Sequence, residues 1–179
     1  VRFNIDIGIS RPLTQAIIRS VLTQYVGCRT DDLDERFPGV TVHVEEMTPD
    51  FIRDLTEGRE VDPEDPPRGA ILFEGEDSRE VRDWTIVVFP DDHATTITLA
   101  LIHEVIHLGQ YLTGRLRTLR TAGGEVTIWD GKQVPSDVPY YDLPEEVEAY
   151  DRLTEMAISV AADPRILQIL EAGLRVAAA

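Results

Sequence analysis

Residues 101–110 read LIHEVIHLGQ. Two of the chain's four histidines stand here, His103 and His107, with Glu104 beside the first. With four histidines and 16 glutamates in 179 residues, chance placement gives H-E-x-x-H roughly 0.008 times per chain. Coincidence is therefore a poor account of the motif. On a helix, residues four apart stand one turn apart on the same face. His103 and His107 would aim two imidazoles at one point. Zinc accepts imidazole nitrogen at about 2.0–2.1 Å, and catalytic sites use three protein ligands plus a water. Glu104 is turned by ~100° from His103, too far round for a comfortable third ligand but within reach of that water. Zinc lowers the pKa of such a water to around 7, and a neighbouring carboxylate can take its proton. The neighbours Ile102, Val105, Ile106 and Leu108 are apolar. Polar groups in that setting are costly unless satisfied, so a helix without metal leaves them unexplained.

The third ligand has to come from elsewhere. The other histidines, His43 and His93, both lie upstream, and His93 is about 15 Å from His103 along the same helix axis. His43, on a strand face opposite Val42 and Val44, reads as a surface or packed histidine. A carboxylate is expected instead, and the helix beginning at Pro144 offers Glu145, Glu146 and Glu148. Its apolar positions are Tyr150, Leu153, Ala157 and Ala161. Glu146 shares that stripe by helical phase and is the expected ligand. Glu148 groups with Asp151, Arg152 and Glu155 on a polar, solvated face and is the alternative. Glu145, in the first turn, reads as dipole or cap chemistry. Gln110 falls on the histidine face and is a candidate to orient a ligand through its amide. Tyr140 and Tyr141 precede the glutamate helix; they read as packing residues or as donors to a developing oxyanion.

Working outward, residues 2–9 alternate as a half-buried strand, and a helix capped by Ser10 ends at Gly27. Residues 40–46 alternate as a second strand. A short helix is expected over 48–58 and a Pro/Asp-rich loop over 59–69. Strands follow at 70–76 and 83–89, then the motif helix, capped by Asp91 or Asp92 and closed near Gly114. Asp130-Gly131 between alternating residues 125–135 signals a hairpin, with Trp129 packing on it. A helix runs from Pro144 to about residue 161, and an amphipathic helix ends the chain. This order reads as an α+β fold: a small mixed sheet packed on a central H-E-x-x-H helix, then a β-hairpin and C-terminal helices. The length suits one domain, with residues 1–83 as an N-terminal α/β part, 84–161 as the core of the site and 162–179 as a terminal helix.

Composition narrows the partners. The formal net charge is −16, from 17 basic and 33 acidic residues, a field that repels phosphate backbones and anionic lipid. Nucleic acid and membranes are thus not expected partners. The single cysteine, Cys28, permits no internal disulfide and no cysteine zinc site. No stretch is long and apolar enough to span a bilayer, and no basic–apolar–small signal opens the sequence. A cytoplasmic protein is the expectation, with secretion not excluded.

The H-E-x-x-H of residues 103–107 resembles that of the zincin metallopeptidases. With a glutamate ligand on a later helix it is similar to their gluzincin branch. H-E-x-x-H-x-x-Q at 103–110 followed by P-x-E-x-E-A at 144–149 looks like a group of small bacterial and phage zincins, over roughly residues 84–157. The resemblance implies one zinc per chain held by His103, His107 and Glu146, with Glu104 as general base. It also implies a protein or peptide substrate, held along the strand WTIVVF (84–89) by strand addition. The chain departs from longer gluzincins in having no room for a second domain across the cleft. The alternative from a different class is a metal-stabilised binding or virion-structural module that hydrolyses nothing.

Overall fold

The computed structural model describes residues 1–48, 68–90 and 93–177, with side chains through residue 172. The expected helix at 48–58, nearly all of the 59–69 loop, and the caps Asp91 and Asp92 lie outside the described residues. His93 takes the N-cap position of the motif helix without a side-chain cap bond.

The fold is α+β, with five helices and two small sheets among the described residues. β1 (Arg2–Asp6) leads into α1 (Arg11–Val26). Ser10 caps α1 by accepting from the Leu13 N–H, and Gly27 ends it in the left-handed region at φ 68°. There Gly avoids the Cβ penalty. After the short α2 (Leu33–Arg36) comes β2 (Thr41–Glu46), parallel to β1. β3 (Gly69–Phe73) and β4 (Asp83–Val88) complete a sheet of order β1-β2-β4-β3. β4 runs parallel to β2, and β3 runs antiparallel to β4. Val42, Val44, Trp84, Ile86 and Val88 turn to a helix-covered face and are buried, while Thr41, His43 and Thr85 alternate to a half-buried face. This is the period-two pattern of a sheet packed chiefly on one side.

α3 (Ala94–Leu112) lies across β3 and β4 and packs on α1. Every residue from 101 to 110 is buried, as expected for a helix apolar nearly all round. α4 (Pro144–Ala162) packs on α3 and α1, and α5 (Pro164–Ala177) packs on α1 and α4. One apolar cluster runs from Phe3 to Ile166. Cys28 is half-buried at the end of α1 and unpaired. No helix among the described residues is long and apolar enough to cross a membrane.

Two expectations need correction. The segment after α3 is a three-stranded meander, β5 (Leu116–Thr121), β6 (Gly124–Trp129) and β7 (Lys132–Gln133). Asp130-Gly131 does make the expected turn, with φ 45° and 79°, but it joins β6 to a two-residue strand. The longer pairing is β5 with β6 around residues 122–123. β5 was hidden because its LRTLRT sequence repeats every three residues, and only Leu116 and Thr118 are buried. The inward phase of α4 is also rotated. Its buried positions are Glu145, Glu146, Ala149, Met156 and Val160, whereas Tyr150 is 46% exposed.

The crossing of α3 and α1 depends on Gly109. A Cβ there would lie 2.6 Å from Cδ1 of Tyr25 on α1. Gly109→Ala is expected to destabilise the protein by about 1–3 kcal/mol through overpacking, read as a shift in urea midpoint at unchanged slope.

Candidate metal centre

One turn of α3 and the first turn of α4 meet in the core. His103 Nε2 and His107 Nε2 lie 3.0 Å apart. Glu146 turns one carboxylate oxygen to each: Oε2 is 3.2 Å from His103 Nε2, and Oε1 is 3.3 Å from His107 Nε2. All three residues are buried. One ligand atom from each of the three residues lies within 4.8 Å of the others, close enough to share one ion. Glu146 Oε2 is buried and accepts no hydrogen bond of proper geometry. Three candidate ligand groups therefore face one another in the core, and a metal ion could be held among them. Compared with protein-family models, curated proteins and solved structures, the chain matches none.

The polarity of the cage is set from behind. Gln110 Nε2 donates to the Glu145 carbonyl at 2.9 Å and to Glu148 Oε2 at 3.1 Å. Both partners are acceptors, which fixes the amide the right way round. Its Oε1 then faces His107 Nδ1 at 2.8 Å, so Nδ1 carries the proton and donates. In the neutral imidazole Nε2 is left as a bare lone pair aimed at Glu146. The expected orienting role of Gln110 thus has a definite mechanism.

Glu148 stands where the alternative ligand was expected to be solvated, and the structure corrects this. It is half-buried and points away from the histidines. It accepts from Tyr25 Oη at 2.8 Å and from Gln110, and it pairs with Arg115 Nη1 and, at 3.3 Å, with Arg152. Arg115 reaches on to Asp130 at 3.0 Å and lies over the Trp129 ring at 4.5 Å. Trp129 is therefore held in the meander, as expected. Glu145 is buried too rather than an exposed cap, and its Oε2 has no hydrogen-bond partner. Burial raises its pKa.

Glu104 is buried beside the trio. Desolvation raises its pKa, partly offset by His107 and His103. Its side chain rests on Gly69 at the start of β3, where a Cβ would fall 2.6 Å from Glu104 Cγ. Gly69 was not singled out in the sequence, though a glycine opening an apolar strand is a sign of close backbone approach. β4, expected at the edge of the cleft, is internal, because β2 and β3 flank it. Among the described strands, the edge one beside Glu104 is β3. Tyr140 brings its hydroxyl to Glu146: its pKa is raised by burial of that end, then by the charge of Glu146 and a hydrogen bond to it. Tyr141 stands outside it, ring against ring at 5.2 Å.

In the metal-free protein the cage holds a proton. Burial disfavours the His107 cation, yet Glu146 and Glu104 outweigh it and raise the pKa from 6.5 to about 9. Burial likewise opposes ionisation of Glu146, but the adjacent His103 and His107 imidazoles lower its pKa from 4.5 to about 2. The His107 contribution to stability is complete below its ordinary 6.5 and is lost as pH rises through about 9. The Glu146 contribution is present above 4.5 and lost as pH falls through about 2. Metal uptake near pH 7.5 should release about one proton, seen as a buffer-dependent heat in calorimetry. A second prediction concerns Gln110→Ala. It is expected to weaken metal affinity by about 10- to 100-fold, measured by competition with a chelator, while leaving far-UV circular dichroism unchanged.

Proposed function

We propose that this chain is a zinc-dependent peptidase of zincin type, with His103, His107 and Glu146 as ligands and Glu104 as general base. The observation that carries the reading is the buried triangle of Nε2, Nε2 and carboxylate with edges of 3.0, 3.2 and 3.3 Å. Two imidazole nitrogens and one carboxylate are a ligand set for catalytic zinc, which keeps its fourth position open. Bound zinc supplies Lewis acidity, polarising a carbonyl and acidifying a water.

The chain's own residues supply the rest. Glu104 is a carboxylate whose raised pKa suits it to accept a proton and pass it on. Gly69 lets that carboxylate lie against the β3 backbone. A peptide added along the β3 edge would run beside the base. Tyr140 carries a phenol beside Glu146 and is the better placed of the two tyrosines to donate to a developing oxyanion. The motif spacing 103–110 and 144–149 adds the resemblance to small zincins.

Purification without chelator or metal-affinity resin, followed by elemental mass spectrometry, should find about one zinc per chain. Glu104→Gln is expected to keep that zinc and lower peptide hydrolysis by about 10²- to 10⁴-fold. Retained turnover in this variant would sink the mechanism. Zinc binding without any hydrolysis by the native chain would favour the non-catalytic module instead. Gly69→Ala should retain zinc and lower kcat, because the methyl group displaces the flexible Glu104 side chain rather than the fold. A lost zinc in Gly69→Ala would refute that assignment.

A further inference from the structure

Three of the chain's five tyrosines form an arc beside the metal centre, with Tyr150 at His103 and Tyr140 at Glu146. The Tyr150 ring lies 4.8 Å from that of His103. Tyr141 follows at 6.1 Å from Tyr150, and Tyr140 at 5.2 Å from Tyr141. Their exposures are 46%, 56% and 53% for Tyr150, Tyr141 and Tyr140. Val147, also exposed, extends the surface one helical turn away. Elsewhere Phe73, Trp84 and Tyr111 stack on one another as part of the core. An exposed apolar row that begins on a candidate metal ligand is a surface with a use.

Charge selects the occupant. Residues 133–151 carry Asp137, Asp142, Glu145, Glu146, Glu148 and Asp151, and no lysine or arginine. Arg152, the next residue, is turned to Glu148 at 3.3 Å and lies over the Tyr25 ring. The whole chain is negative by 16 charges. An apolar side chain docked here would strip water from the exposed carboxylates of Asp142 and Asp151, next in the chain to Tyr141 and Tyr150, without replacing it. A cation would meet the negative ring faces and the carboxylates together.

We propose that the tyrosine row seats a basic side chain, lysine or arginine, of a peptide lying across the metal centre. This rests on the peptidase reading and names its substrate class. The row sits beside the ligands His103 and Glu146, so the basic residue is one that adjoins the scissile bond.

The test uses two fluorogenic peptides that differ only in arginine or its neutral isostere citrulline next to the cleavable bond. The zinc-loaded protein should cleave the arginine peptide with a kcat/KM about tenfold higher at low salt. The ratio should shrink in about 0.5 M NaCl and in Tyr141→Leu. Equal rates, or faster cleavage of a phenylalanine peptide, would overturn the basic seat and leave the peptidase intact. The same peptides titrated onto zinc-loaded Glu104→Gln, followed by fluorescence anisotropy, read binding without turnover. Tighter arginine binding with no cleavage by the native chain would keep the seat and remove the peptidase. Equal binding, or none for either peptide, would overturn the seat.

Discussion

A helix buried on every side from residue 101 to 110 carries two imidazoles, a carboxylate and an amide into the core. That burden governs the rest of the molecule. Unsatisfied, such groups would cost several kcal/mol. The fold answers by bringing up a second helix whose first turn is equally polar. Glu146 closes the triangle, the Glu145 carbonyl takes one Gln110 proton, and Glu148 takes the other. The packing of α3 on α4 is therefore the assembly of the site, and anything that shifts one helix along the other dismantles it.

The support is layered outward. Behind His107 stands Gln110, behind Gln110 stands Glu148, and behind Glu148 stand Tyr25 of α1 and Arg115. Each layer comes from a different element, so the imidazole's proton position is a property of the tertiary fold. On the opposite side the Glu104 side chain lies against Gly69 at the start of β3, which brings the carboxylate close to that strand's backbone.

Much of this was legible in the sequence because helical phase is a short-range property. The four-residue spacing of His103 and His107 and the seven-residue spacing of Glu146 and Leu153 do not depend on what packs against them. The sheet strands and the capped, glycine-ended α1 were legible for the same reason. What escaped depends on distant partners. Glu148 looked solvated because its neighbours on α4 are charged, yet Arg115 and Tyr25, far away in sequence, half-bury it. Tyr150 was assigned to the core from its apolar neighbours, but the inward face of α4 is set by where α3 lies. β5 reads LRTLRT, a three-residue repeat without the two-residue alternation of a strand, so its pairing is visible only through β6. The order of strands in the sheet is not written in any one strand, and this is why β4 was taken for the edge.

The two tryptophans occupy unequal positions. Trp84 is sealed in the core beside Tyr111 and Phe73. Trp129 lies in the meander under the Arg115 guanidinium, the same group that grips Glu148 and so, through Gln110, His107. A positive charge over an indole perturbs its excited state, and the strength of that perturbation follows where Glu148 holds the arginine. The two indoles therefore report different places, Trp84 the packing of the core and Trp129 the position of the arginine that Glu148 holds.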